Sequence, residues 1–182
     1  YVYFPVNAVV SQFYILEDGR TVEIAMIGRD GMTGHGAVFG SETALCFTQI
    51  SIAGFAYRTN AETVRQEFSR CRTLQNLLLE YSNAYTTQIS KKVVCNNYHT
   101  LEQRFCTWLL MLYDRIGSDR LMLTHSQIAC YLGVHRPSFT HTAKNLRETG
   151  IIDYARGHLR ILNHRKLENT ACECYRKSKN LF

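Results

Sequence analysis

Hydrophobic and polar positions change period along this chain. From Val9 to Leu16, and again from Thr21 to Ile27, β-branched and aromatic residues are interspersed with polar ones, strictly alternating over Thr21-Val22-Glu23-Ile24, with Asp18-Gly19 between the two runs. A period of two lines up one face of a strand, and Asp-Gly supplies the positive φ angles of a tight turn, so the segment predicts a β-hairpin. Glycines at 28, 31, 34, 36 and 40 follow, and then a second β-rich run from Phe47 to Tyr57. Short strands separated by turn signals predict a β-sandwich or roll over residues 1–70. Tyr3-Phe4-Pro5 leads straight into this strand material, which gives the expectation of an incomplete β domain with unpaired edges.

At Ala61 the period lengthens towards that of a helix, opened by Asn60 as N-cap. From Cys71 to Tyr98 there is no Pro or Gly, and Leu74, Leu77, Tyr81, Ala84, Gln88, Lys91 and Cys95 recur at heptad spacing. The pattern predicts a long helix over 71–98 whose seam, Leu74, Leu77, Tyr81, Ala84 and Gln88, pairs two copies of the chain. The competing reading is a helix packed on its own domain. A further helix is predicted from Thr100 to Ile116, with Leu101, Phe105, Trp108, Leu109 and Leu112 at core spacing and Gly117 as its stop.

The segment from Leu121 to Leu146 satisfies the requirements of a helix-turn-helix. Thr124 and Gln127 form a capping box, and Ile128, Leu132, Val134, Phe139, Ala143 and Leu146 supply a shared core. Ala129 is small where two helices cross, Gly133 ends the first helix, and Pro137 sits in the first turn of the second, where its missing N–H costs nothing. Ile151-Ile152-Asp153-Tyr154, a turn through Arg156-Gly157, and Leu159-Arg160-Ile161-Leu162 then predict a hairpin, the wing of a winged helix. The fold class is therefore α+β: an N-terminal β-roll (1–70), a long dimerisation helix (71–98) and a C-terminal winged helix-turn-helix (99–182).

Charge sharpens this. The formal net charge is +6; 8 of the 21 Lys+Arg and 8 of the 15 Asp+Glu lie before residue 99, leaving 13 against 7 after it. A basic half beside a neutral one is the footprint of a domain that meets a polyanion. With the second helix in a major groove, Arg136, Ser138 and His141 face base edges, while His125, Ser126, Thr140, Lys144 and Arg156 are placed for phosphates. The expected partners are double-stranded DNA with a near-palindromic operator, a second copy of the chain, and RNA polymerase. A winged helix that binds protein instead is the rival reading. No run of 18 or more uncharged apolar residues and no basic, then apolar, leader occurs, so a cytoplasmic protein with no membrane contact is expected. No nucleophile turn, phosphate loop or paired-carboxylate motif is present, and neither an enzyme nor a cofactor is expected.

On these residues the chain resembles the cyclic-nucleotide-receptor and fumarate-nitrate (Crp/Fnr) regulators of bacteria. Leu123-Thr124, Ile128-Ala129, Leu132-Gly133-Val134, Arg136, Leu146 and Gly150-Ile151-Ile152 carry the likeness. His99, Glu102-Gln103-Arg104, Trp108-Leu109-Leu110, Asp114-Arg115 and the terminal Cys172-Glu173-Cys174-Tyr175 suggest a subgroup. The resemblance implies a sensor domain resembling a cyclic-nucleotide-binding domain, a dimerising helix and a DNA reader, with the effector pocket at Gly34 and His35. Receptors of the family hold the cyclic phosphate with an arginine. Here Leu45-Cys46 falls at its place and no arginine occurs between Arg29 and Arg58, so no cyclic-nucleotide response is expected.

Seven cysteines, at 46, 71, 95, 106, 130, 172 and 174, are an odd number and irregularly spaced, unlike a secreted disulfide framework. Cys95 and His99 lie four apart on one helical face, and Cys172 and Cys174 offer further thiolates, which leaves a redox- or metal-responsive regulator as an alternative. With no two-residue-gap cysteine pair and no second histidine to complete a zinc pattern, no metal is expected.

Overall fold

The computed structural model describes residues 1–41, 43–44 and 46–178. The N-terminal part runs β1 (Val2–Pro5), β2 (Val9–Ile15), β3 (Thr21–Ile27), the short helix α1 (His35–Val38), β4 (Phe47–Ile52) and β5 (Ala56–Thr59). β2 and β3 form the predicted antiparallel hairpin, and β4 pairs with the other side of β2, giving the order β3-β2-β4. β1 and β5 make a separate antiparallel pair. The β2–β3 register shifts between Gln12 and Phe13. Such a bulge breaks the in–out alternation, and Val9 through Phe13 are all buried, so that Ser11 and Gln12 sit inside beside Phe13.

Next come α2 (Ala61–Arg70), α3 (Arg72–Tyr98), α4 (Leu101–Ile116) and, after strand β6 (Arg120–Met122), α5 (His125–Leu132). Asn60 caps α2 by accepting from Glu62 N–H at 3.0 Å. Thr100 and Gln103 close a capping box on α4, as Thr124 and Gln127 do on α5. The chain continues through α6 (Arg136–Glu148), β7 (Ile152–Ala155), β8 (His158–Ile161), α7 (His164–Thr170) and α8 (Glu173–Ser178). β6 joins the wing as a third strand in the order β6-β8-β7, a pairing the sequence did not suggest. None of the described helices is long and apolar enough to cross a membrane.

The main core centres on Phe105, Trp108, Leu109 and Leu112 of α4, packed against Ile128, Leu132, Phe139, Leu146, Ile152 and Leu159. It also takes in Val9, Phe13 and Met26 of the β2–β3 hairpin. Phe13 and Trp108 both pack on Tyr131, with ring centroids 5.4 and 5.5 Å from it. The largest apolar core therefore runs across the boundaries that periodicity places near residues 70 and 99.

Glu23, 1% exposed, marks the junction. Its carboxylate accepts from Ser11 Oγ at 2.6 Å and from Trp108 Nε1 at 3.0 Å, and pairs with Lys92 Nζ at 3.1 Å. A buried carboxylate is tolerated only when paired and hydrogen-bonded in this way.

The seam expected on the long helix is largely covered by the chain itself. Ala84 and Gln88 are buried within the chain itself, and Gln88 both accepts from Met26 N–H (3.0 Å) and donates to Met26 C=O (3.2 Å). Leu74 and Tyr81 pack on a second cluster of Val2, Met32, Val38, Val64 and Leu78, and Tyr81 donates to Met32 C=O at 2.6 Å. Of the five predicted seam residues only Leu77 is exposed. A heptad stripe marks a face that some neighbour covers, and here the neighbour is the chain's own β domain.

Candidate nucleic-acid interface

α5 and α6 meet through a turn that Gly133 makes possible. It ends α5 at φ 64, and a Cβ there would stand 2.8 Å from Val22 Cγ2 of β3. The turn is thus both left-handed and pressed against the β domain, and only glycine satisfies both demands. Arg104 of α4 fastens the same turn by donating to Leu132 C=O. That contact has no signal in the sequence, because Arg104 lies on a predicted helix far from the motif.

α6 buries Phe139, Thr142, Ala143 and Leu146 and leaves Arg136, Pro137, Ser138, Thr140, His141 and Lys144 exposed. Arg136, Pro137, Thr140, His141 and Lys144 line one open depression on its outer face. The first turn of α6 has no acidic residue and no side-chain cap on its N-terminus. Free N–H groups and the helix dipole there favour an anion. The wing turns through Arg156, at φ 51, and Gly157, which leaves Arg156 exposed at its tip. Arg136, Ser138, His141, Lys144 and Arg156 are thus all surface groups. Lys144 lies 3.7 Å from Glu148, an exposed pair that holds it only weakly.

Two predicted phosphate contacts, His125 and Thr140, also bond within the chain, Thr140 while remaining exposed. Thr140 Oγ1 donates to Arg136 C=O at 2.9 Å and lies 2.9 Å from His125 Nδ1. The His125 ring, half-buried, packs edge-on to Phe139 and against Tyr154, at centroid distances of 5.3 and 4.6 Å. Burial, and then the Arg136 charge, push its pKa down. His125 and Thr140 fix the helix pair; Ser126, beside them, is exposed. Periodicity cannot reveal this, because the bond joins residues 15 apart on different helices.

At the expected effector position, Gly34 precedes α1 at φ 85, and a Cβ on it would lie 2.5 Å from Tyr1 C=O. His35 is wedged against Tyr81 and Tyr85, with ring centroids 5.7 and 4.5 Å away. Its Nδ1 is buried without a hydrogen-bond partner, and desolvation lowers its pKa. Tyr85 donates to Gln12 Oε1 at 2.5 Å, and Gln12 reaches Thr33 Oγ1 at 3.5 Å. Leu45 lies outside the described residues, and Cys46 is half-buried. Of the arginines that flank this region, Arg29 donates to Asp114 C=O at 3.2 Å and Arg58 lies over the Tyr1 ring at 4.5 Å. Arg65 of α2 does reach α1, where it donates to Ala37 C=O at 2.8 Å, and it also pairs with Glu62 of its own helix at 3.4 Å. The structure also brings Cys95 and His99 together with Cys172 and Cys174.

Residues 103–170 match the Crp-like helix-turn-helix domain. No curated protein sequence matches the chain. Among solved structures, TTHB099, a CRP-family transcriptional regulator from Thermus thermophilus, is similar with a TM-score of 0.78 at 16% identity, over 93% of this chain and 87% of that one. TTHA1359, a CRP/FNR-family regulator from the same organism, gives 0.77 at 19% identity, with the same shares covered. FixK2 from Bradyrhizobium japonicum gives 0.75 at 17% identity, over 94% of this chain and 87% of that one. The shared fold is a β-sheet domain, a long helix and a C-terminal helix-turn-helix.

Proposed function

We propose that this chain, with its Crp-like helix-turn-helix over residues 103–170, is a sequence-specific DNA-binding transcription regulator of the Crp/Fnr type. The observation that carries this reading is the outer face of α6. Arg136, Ser138, His141 and Lys144 are exposed on a helix whose other face is locked in the core, beside an exposed arginine at the wing tip. A rigid helix with polar and basic side chains in its first turns suits a major groove. A protein-binding winged helix calls for an apolar surface there, and α6 offers none. Arg136 supplies the bidentate guanine contact, Ser138 and His141 the neighbouring bases, and Lys144, Arg156 and Ser126 the phosphates. The cytoplasm and a contact with RNA polymerase belong to this reading.

The chain acts as a homodimer whose two α6 helices enter successive major grooves about 34 Å apart. The surface available to a second copy is the exposed stripe Leu79, Asn83, Thr86, Ser90, Val93 and Asn97 along α3, spaced alternately four and three residues. It keeps the heptad period with a different phase from the stripe buried against the β domain. Cyclic nucleotides are not the effector: with Arg29 and Arg58 directed elsewhere and Arg65 already engaged, a bound phosphate would be desolvated without a free cation. Selection of bound DNA from a random pool tests the main claim. A palindromic consensus is expected, with affinity falling steeply as salt rises; failure to enrich any sequence at moderate salt rejects the reading. Calorimetric titration with cyclic nucleotide should give no heat of binding.

A further inference from the structure

Among the described residues, the densest grouping of reactive side chains outside the DNA-facing surface lies where the long helix hands over to the helix-turn-helix part. Cys95 is in the last turn of α3, His99 is its C-cap, and Cys172 and Cys174 stand at the start of α8. Two bonds lay this C-terminal segment back on α4: Cys172 N–H donates to Thr107 Oγ1 at 3.1 Å, and Tyr175 OH donates to Asp114 Oδ2 at 3.0 Å. The four candidate ligand atoms, three Sγ and one imidazole nitrogen, all lie within 4.8 Å of one another.

The distances have a particular size. Cys95 Sγ is 3.5 Å from Cys172 Sγ, and Cys174 Sγ is 3.8 Å from His99 Nδ1. A tetrahedral zinc ion, with bonds of about 2.3 Å to sulfur and about 2.0–2.1 Å to nitrogen, has ligand-to-ligand edges of roughly 3.5–3.8 Å. These two pairs already stand at such edges, and the cysteines are well apart from the S–S bond length of about 2.05 Å. The imidazole is also oriented as a ligand. Its Nδ1 faces the thiols, while its Nε2 is 3.2 Å from Glu173 Oε2. A carboxylate on the far ring nitrogen fixes the tautomer and raises the basicity of a metal-bound histidine. Cys95, Cys172 and Cys174 are 7%, 3% and 7% exposed, and His99 is half-buried, so the set is enclosed. Three thiolates and a dication leave one negative charge, and Arg104 near Cys95 and Cys172, with Lys91 near Cys174, can offset it. Packing three cysteines as small apolar groups accounts for their burial but not for a histidine aimed at them with a carboxylate behind it.

We propose that Cys95, His99, Cys172 and Cys174 form a closed Cys3His site for a thiophilic divalent cation of the zinc class. The ion replaces three thiol protons, which pass to solvent, and ties the end of α3 to the segment packed on α4. It thereby stiffens the joint between the long helix and the reader.

Metal content tests this without reference to DNA, so its failure would leave the proposed function standing. The full chain, purified without chelator under reducing conditions, is expected to carry about one zinc per chain by elemental analysis. After metal removal, cobalt(II) is expected to give the visible bands of a tetrahedral thiolate site, and added zinc to abolish them. Cys95→Ser and Cys174→Ser should each lose the metal and the cobalt spectrum, while Cys130→Ser keeps both. A wild-type chain that is metal-free and takes up no cobalt overturns the site. So does a Cys95–Cys172 disulfide in the reduced preparation, or full occupancy in Cys95→Ser.

Discussion

At the scale of single residues, the proposed DNA-facing surface has exposed side chains free for contacts beside side chains that hold the helix pair together. Arg136 is exposed at the start of α6. Arg136→Ala is expected to cost about 1–3 kcal/mol on the preferred site and to relax specificity at one base pair per half-site, as measured by fluorescence anisotropy on a panel of operators. Lys144→Ala should instead weaken binding to all sequences alike and lower the salt slope by about 1. His35 makes a different prediction. Desolvation depresses its folded pKa below the ordinary value of about 6.5. Above that value the residue is neutral in both folded and unfolded chains, and the stability is fully present. As pH falls, the unfolded chain takes up a proton that the folded one resists, and stability is lost. The urea midpoint should therefore drop between about pH 7.5 and 5.5, and His35→Gln should flatten the drop. His125, also depressed, has the same sign and leaves part of the slope in place.

At the scale of elements, α3 has two faces with different work. Its inner face is anchored by Gln88, whose amide satisfies both the N–H and the C=O of Met26 in a buried setting. Gln88→Leu leaves both backbone groups without partners, at about 1–3 kcal/mol for each, and should lower the urea midpoint. Its outer face carries Leu79 and Val93, each 57% exposed. Leu79→Glu combined with Val93→Glu should convert dimer to monomer in sedimentation velocity with little change in the stability of the chain. Double charge on the inner face would instead unfold it. The small polar residues between these two, Asn83, Thr86 and Ser90, would make the proposed seam a weak one. The dimer is thus expected to dissociate at higher concentration than an all-leucine zipper would.

At the scale of the whole molecule, the β2–β3 hairpin and the helix-turn-helix share one core through Phe13, Tyr131 and Trp108, with Glu23 bonded to both sides. Shifts in the β domain are therefore carried to α4 and α5 by direct packing as well as along α3. A continuous core predicts one cooperative unfolding transition. Fluorescence of Trp108, the single tryptophan, and far-UV circular dichroism should give coincident urea curves. Two separated transitions would show that the parts unfold independently.

Sequence by itself determined what depends on near neighbours in the chain. The β2–β3 hairpin, the caps at Asn60, Thr100 and Thr124, the turn at Gly133 and the exposed face of α6 are all set by periods of two or 3.6 and by single-residue backbone preferences. Tertiary structure decided which neighbour covers an apolar face and which distant groups meet. A heptad stripe on α3 is the same pattern whether a second copy or the chain's own N-terminal part lies on it, and here strands, loop and short helices of that part do. Thr140 and His125 look like free polar residues until α5 and α6 cross and bond them to each other. Cys95 and His99 lack a standard metal spacing because their partners, Cys172 and Cys174, lie more than 70 residues away. Local periodicity encodes faces, and only folding pairs them.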